Sequence, residues 1–106
     1  MKIGLLGFGV VGRGVYDLVA DRDDIQVAKV LCLEDVNLPD AESVKDIKMI
    51  VEDPSIDTGV EAMGGLHPAY EFVRAAMEAG KNIVTSGISI IAVESESVLV
   101  YVRFQL

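Results

Sequence analysis

Three glycines near the amino end carry the clearest chemical signal in the chain. They lie in Gly7-Phe8-Gly9-Val10-Val11-Gly12, a GxGxxG spacing suited to a diphosphate. In such a turn the first glycine permits a sharp bend, and the second lets the backbone approach a phosphate. The third lets a helix pack close to the preceding strand. The N–H groups and positive dipole end of that helix then favour negative charge. The motif alone is weak, and a glycine-rich turn without a ligand is the plain alternative. Its context argues for the ligand: an apolar run, residues 2–6, precedes it, and a helical pattern follows.

An acidic residue is expected near the end of the second strand, where it would bind the adenosine ribose hydroxyls. Glu34 follows Gly12 by 22 positions, and Asp35 follows it by 23. Either repels a 2′-phosphate, so this stretch favours NAD over NADP. The alternative is an ordinary acidic loop residue. A second glycine pair, Gly64-Gly65, follows another strand pattern, and a small-residue turn there would admit the nicotinamide end of a cofactor. Thr85 and Ser86 close the next strand and offer hydroxyls on the same edge. Plain turn and strand-end chemistry is the competing explanation for all four.

Other reactive types point less clearly. His67 is the only histidine and stands before Pro68, with no carboxylate or serine partner evident nearby. Cys32 is the only cysteine and reads as a buried, inert thiol within a strand. It excludes an intrachain disulfide and a multi-cysteine metal site. Glu61 falls within a strand, so its crevice-facing orientation is the minor alternative. Met49, Met63 and Met77 read as core.

The elements that must position these residues follow from periodicity. Residues 2–6 form a strand. Val11, Val15, Leu18 and Val19 then recur at helical spacing, and the apolar, β-rich stretch 25–33 reads as a strand covered on both faces. This is one βαβ unit, whose crossover is right-handed. Residues 34–47 read as loop with a short strand, 43–52 as a short helix ending before Asp53-Pro54, and 58–63 as a strand. Pro68 suits a first helical turn, and Ala69, Phe72, Val73, Ala76 and Met77 mark the buried face. Gly80 fits the position past the helix end, and 82–86 reads as a further strand. The fold class is therefore α/β: a doubly wound, mostly parallel sheet in a single three-layer domain. That dinucleotide-binding domain is expected over 1–92. In the tail, 93–106, apolar residues alternate from Val98 to Leu106, which favours an added strand. Its exposed edge invites pairing with a second copy.

Composition bounds the partners. The 106 residues contain 9 Lys+Arg and 17 Asp+Glu, for a net charge of −8. This argues against nucleic acid and anionic membrane surfaces. The hydrophobic fraction is 51%, enough for a packed core. No apolar run reaches the ~18 residues of a membrane span, and no signal peptide is evident, so a cytoplasmic location is expected.

Three separated runs resemble homoserine dehydrogenases. These are Lys2–Val15, Val60–Ala69 with its strand-GG-x-x-P pattern, and Glu78–Ser86. The resemblance implies a Rossmann-like cofactor domain and NAD- or NADP-linked interconversion of homoserine and aspartate semialdehyde. It also implies a second domain carrying dimerisation and most of the substrate site. The departures are specific. The family's active-site lysine falls within Gly87-Ile88, and the arginine that often marks NADP preference falls on Leu33. Beyond residue 92 no likeness is found, and the substrate domain is absent from the sequence. Hydride transfer to or from an alcohol needs a group that moves the hydroxyl proton and a pocket that orients the substrate. No catalytic residue is therefore assigned. The expectation is the cofactor-binding part of such an oxidoreductase, not competent alone, as a homo-oligomer or with a separate substrate-domain chain. A stand-alone dinucleotide-binding sensor or regulatory module is the alternative.

Overall fold

The computed structural model describes residues 1–65 and 68–85. Five strands and three helices follow in the order β1 (Lys2–Leu6), α1 (Val10–Ala20), β2 (Gln26–Leu31), β3 (Glu42–Val44), α2 (Lys48–Val51), β4 (Thr58–Glu61), α3 (Ala69–Glu78) and β5 (Asn82–Thr85). The sheet order is β3-β2-β1-β4-β5, and every pairing is parallel. The chain therefore reverses its direction of travel across the sheet at β1 and β4. In an open α/β sheet that switch point is where a ligand crevice forms, beyond the carboxyl ends of the strands.

The sheet is covered on both faces, giving the expected doubly wound α/β arrangement. Ile3, Leu5, Val27 and Val30 point to one face, where Val15, Tyr16 and Val19 of α1 pack on them. Leu6, Leu31, Val44, Ile50 and Ile56 fill the other, with Phe72 of α3 against them. Ala69, Val73, Ala76 and Met77 of α3 pack with Ile83 of β5. The α3 spacing thus does what its periodicity predicts.

Only part of the apolar pattern in α1 is used. Gly12, Val15, Tyr16 and Val19 face the sheet, whereas Leu18 is 78% exposed and Val11 53%. At about 100° per residue, Leu18 and Val11 lie roughly 100° round the helix from the centre of the buried arc. The loop and helix expected over 34–52 contain the three-residue β3 and the single-turn α2. That turn buries Ile50 and leaves Met49 45% exposed, so Met49 is not core. Lys29 ties β2 to this region by an ion pair to Asp53 (3.1 Å) and a hydrogen bond to the Met49 carbonyl (2.8 Å). The tail at 93–106, with its expected strand and pairing edge, lies outside the described residues, as do His67 and Ser86.

Candidate dinucleotide site

β1 ends at Leu6, and the chain bends at once. Gly7 adopts φ 103°, a backbone region that strains any residue with a Cβ. Its N–H donates to the Leu31 carbonyl at 2.9 Å. A side chain here would also meet the Met63 side chain at 2.9 Å and the Ala62 carbonyl oxygen at 3.0 Å. Gly12 serves a different need. A Cβ on it would lie 2.3 Å from the Gly7 carbonyl oxygen, so only glycine lets α1 start this close to the turn. Gly9 is the N-cap, with no side-chain capping bond and no acidic residue in the first turn of α1. A Cβ on Gly9 would meet no described atom within 4 Å. Packing within the described protein therefore does not require a glycine at 9, whereas a ligand resting on the backbone there would.

Above this turn lies a cleft of about 390 Å³, within the range of small-molecule sites. One wall is the segment after β2, from Leu31 to Val36, and the other is Ala62-Met63 after β4. Gly7, Phe8 and Gly9 form the floor between them, and Arg13 reaches in from α1. The Phe8 ring stands edge-on to Tyr16 (5.9 Å, 82°), and the Arg13 guanidinium sits 4.7 Å from the Phe8 centroid. Val10 and Val11 are exposed, which leaves their backbone as the useful part. Of the two acids after β2, Asp35 is engaged by Lys45 at 2.9 Å, and that ammonium also donates to the Leu33 carbonyl. Glu34 is exposed on the same rim.

The other expected residues fall beyond the β4 side. Gly64 and Gly65 both have φ 73° and are exposed on the edge that carries the glycine turn. They follow Ala62-Met63 but do not line the cleft. Thr85 ends β5 and is buried, and its hydroxyl donates to Glu61 at 2.5 Å. The hydroxyl proton expected to meet a ligand is therefore given to a neighbouring strand.

Glu61 lies within its strand, as expected, and is 1% exposed. Val60 packs on the α1 face, so period two turns Glu61 to the opposite, α3 face. Cys32 departs further from expectation. It lies just past β2, half-buried, and lines the cleft, with Sγ 2.9 Å from the Glu34 carbonyl and 3.2 Å from the Ser43 hydroxyl. β2 stops at Leu31, one residue short of it. Met63, expected in the core, packs there and lines the cleft as well.

Sequence reasoning missed Arg13, Ala62 and Met63 as site residues. Arg13 could have been found, because it follows the third glycine directly. Ala62 and Met63 could not, since their place depends on β4 lying beside β1.

No protein-family model matches the chain. Among curated proteins, a homoserine dehydrogenase of Synechocystis sp. is 36% identical over 87% of this chain and 24% of its own length. A scyllo-inositol 2-dehydrogenase (NADP(+)) of Bacillus subtilis is also 36% identical, over 79% of this chain and 25% of its own length. Among solved structures, a homoserine dehydrogenase of S. aureus aligns with TM-score 0.74 and 26% identity, over 84% of this chain and 26% of that one. One from Thiobacillus denitrificans aligns with TM-score 0.72 and 29% identity, over 85% and 24%. The chain spans about a quarter of the length of these relatives. Over that quarter it is homologous to the homoserine dehydrogenases, and its sheet and helices form the Rossmann-like domain that the resemblance implies. No helix among the described residues is long and apolar enough to cross a membrane.

Proposed function

We propose that this relative of the homoserine dehydrogenases holds a nicotinamide dinucleotide, NAD in preference to NADP, as the cofactor-binding part of an oxidoreductase of that kind. One observation carries the reading. A single cleft runs from the acidic rim after β2, over a bare glycine turn, to the end of β4. That is the path of a dinucleotide across a switch point.

In this reading the diphosphate rests on Gly9, against the N–H groups of the first turn of α1, including those of Val10, Val11 and Gly12. Phe8 and Gly7 form the bend beneath it. Glu34 accepts hydrogen bonds from the adenosine ribose hydroxyls. Its freedom from the Lys45 contact that engages Asp35 supports choosing it over its neighbour. The nicotinamide half extends past Ala62-Met63 towards Gly64, Gly65 and Thr85, with Thr85 acting through Glu61. The cofactor, when bound, supplies the hydride acceptor or donor, and the chain's own residues hold and orient it. The described cleft contains no lysine or histidine, so turnover of homoserine draws on groups beyond it.

Calorimetric titration with NAD and NADP tests the reading. We expect NAD to bind more tightly and Glu34→Arg to reverse the order. Equal affinities, unchanged in Glu34→Arg, would remove Glu34 from the site. Homoserine-dependent NAD reduction by the chain alone would refute the view that it needs further catalytic groups.

A further inference from the structure

We infer that Glu61 is a positioning residue for the nicotinamide half of the dinucleotide, acting through the Ala62-Met63 turn. The inference rests on the dinucleotide reading and goes beyond it. Glu61 is almost fully buried and makes no ion pair among the described residues. A carboxylate removed from water is costly unless hydrogen bonds replace its solvent. Here two short bonds do so. Oε2 accepts the Met63 backbone N–H at 2.6 Å, and Oε1 accepts the Thr85 hydroxyl at 2.5 Å. Charged acceptors make such bonds shorter and stronger than neutral ones. Apolar side chains would fill the same space without the desolvation cost, so the carboxylate's use lies in what it holds.

What it holds is the far wall of the cleft. Ala62 N–H donates to the Leu6 carbonyl at 2.8 Å, and Glu61 takes the next N–H. The turn is thereby pinned from β1 on one side and from its own strand on the other. Its Met63 side chain and Ala62 carbonyl lie against Gly7, but Gly7 is held separately by its N–H bond to the Leu31 carbonyl at 2.9 Å, so the floor keeps its place when the turn shifts. The bond to Thr85 extends the brace to β5. A dinucleotide with its ribose at Glu34 and its diphosphate over Gly9 must place its nicotinamide beyond this wall. In that reading the adenosine ribose lies at the opposite rim, at Glu34.

The prediction is therefore a split in affinity. Calorimetry on the full chain should show NADH binding more tightly than ADP-ribose, which lacks the nicotinamide. Glu61→Ala should weaken NADH at least tenfold and leave ADP-ribose within twofold. Glu61→Gln should recover NADH affinity to within threefold, because its amide oxygen still accepts the Met63 N–H. Thr85→Val should fall between them. A merely structural role would weaken both ligands together, and that result would overturn the inference, as would an unchanged NADH affinity in Glu61→Ala. If Glu61→Ala does not fold, Thr85→Val decides by the same split. Failure of the unmodified chain to bind NADH or NADPH would overturn the dinucleotide reading and this role with it. Normal binding with no split would overturn this role alone.

Discussion

Replacing Gly9 by alanine separates the needs of folding from those of binding. The added methyl meets no described atom within 4 Å, and the residue already has φ −81°, which alanine adopts freely. Its cost to folding is that of a poorer N-cap, no more than about 1 kcal/mol. For a domain of this size that lowers Tm by up to about 4–8 °C. Binding should respond differently. A phosphate oxygen held by a backbone N–H sits about 2.9 Å from the nitrogen, and a methyl on the same residue stands in its way. Losing one such charge-assisted bond costs about 1.5–3 kcal/mol. At ~1.4 kcal/mol per decade this is about 10–100-fold in Kd. Gly14 provides a matched control, since its Cβ would also meet nothing within 4 Å but it lies along α1 away from the cleft lining. Gly14→Ala should stabilise the helix by up to about 1 kcal/mol and leave affinity unchanged. Thermal unfolding and NAD calorimetry on both variants make the comparison. A Gly9→Ala chain that binds NAD within twofold of the unmodified protein would refute the assignment of the diphosphate to this turn.

Gly12→Ala should lose both stability and affinity, because its methyl meets the Gly7 carbonyl oxygen at 2.3 Å. Overpacking costs about 1–3 kcal/mol against about 1 kcal/mol gained in helix propensity. Chemical unfolding should therefore show a net loss of up to about 2 kcal/mol. The pH dependence of stability should involve Asp53, whose carboxyl is held well below the usual carboxylate range. The Ser55 hydroxyl and N–H are the main cause, and Lys29 adds to it. A lowered folded-state pKa contributes stability above the unfolded value of 3.8 and loses it as pH falls towards the folded value. Asp53→Ala should accordingly be less stable at pH 7, with the gap to the unmodified chain closing below about pH 4. A gap that stays constant down to pH 2 would count against this. The exposed Arg22–Asp24 pair, with Asp24 lowered to about 2, should matter little, and Asp24→Asn should leave Tm nearly unchanged in 1 M salt.

Much of the architecture is legible in the chain because its signals are local. The run at 2–6, the three glycines and the spacing of Ala69 to Met77 each report on neighbours within a few residues. They were enough to place β1, α1 and α3 and to expect a parallel, doubly wound sheet. Element ends were less legible. Strands expected to reach residues 33 and 63 stop at Leu31 and Glu61, because apolar character continues past the last ladder bond. Leu33, apolar and 96% exposed, belongs to the rim of the cleft.

The candidate site divides in the same way. Gly7, Gly9, Gly12 and Glu34 could be singled out from spacing, since the geometry of a strand, a turn and a helix is contained in that stretch. The far wall could not. Ala62 and Met63 reach the cleft only because β4 pairs with β1 across a sheet whose order departs from the order of the chain. Glu61 meets the Thr85 hydroxyl, 24 positions away, only because the β4–β5 register sets Glu61 opposite Thr85. Turns and periodicities are encoded in adjacent side chains, whereas the partner of a buried carboxylate is chosen by strand order and register, which exist only once the sheet has assembled.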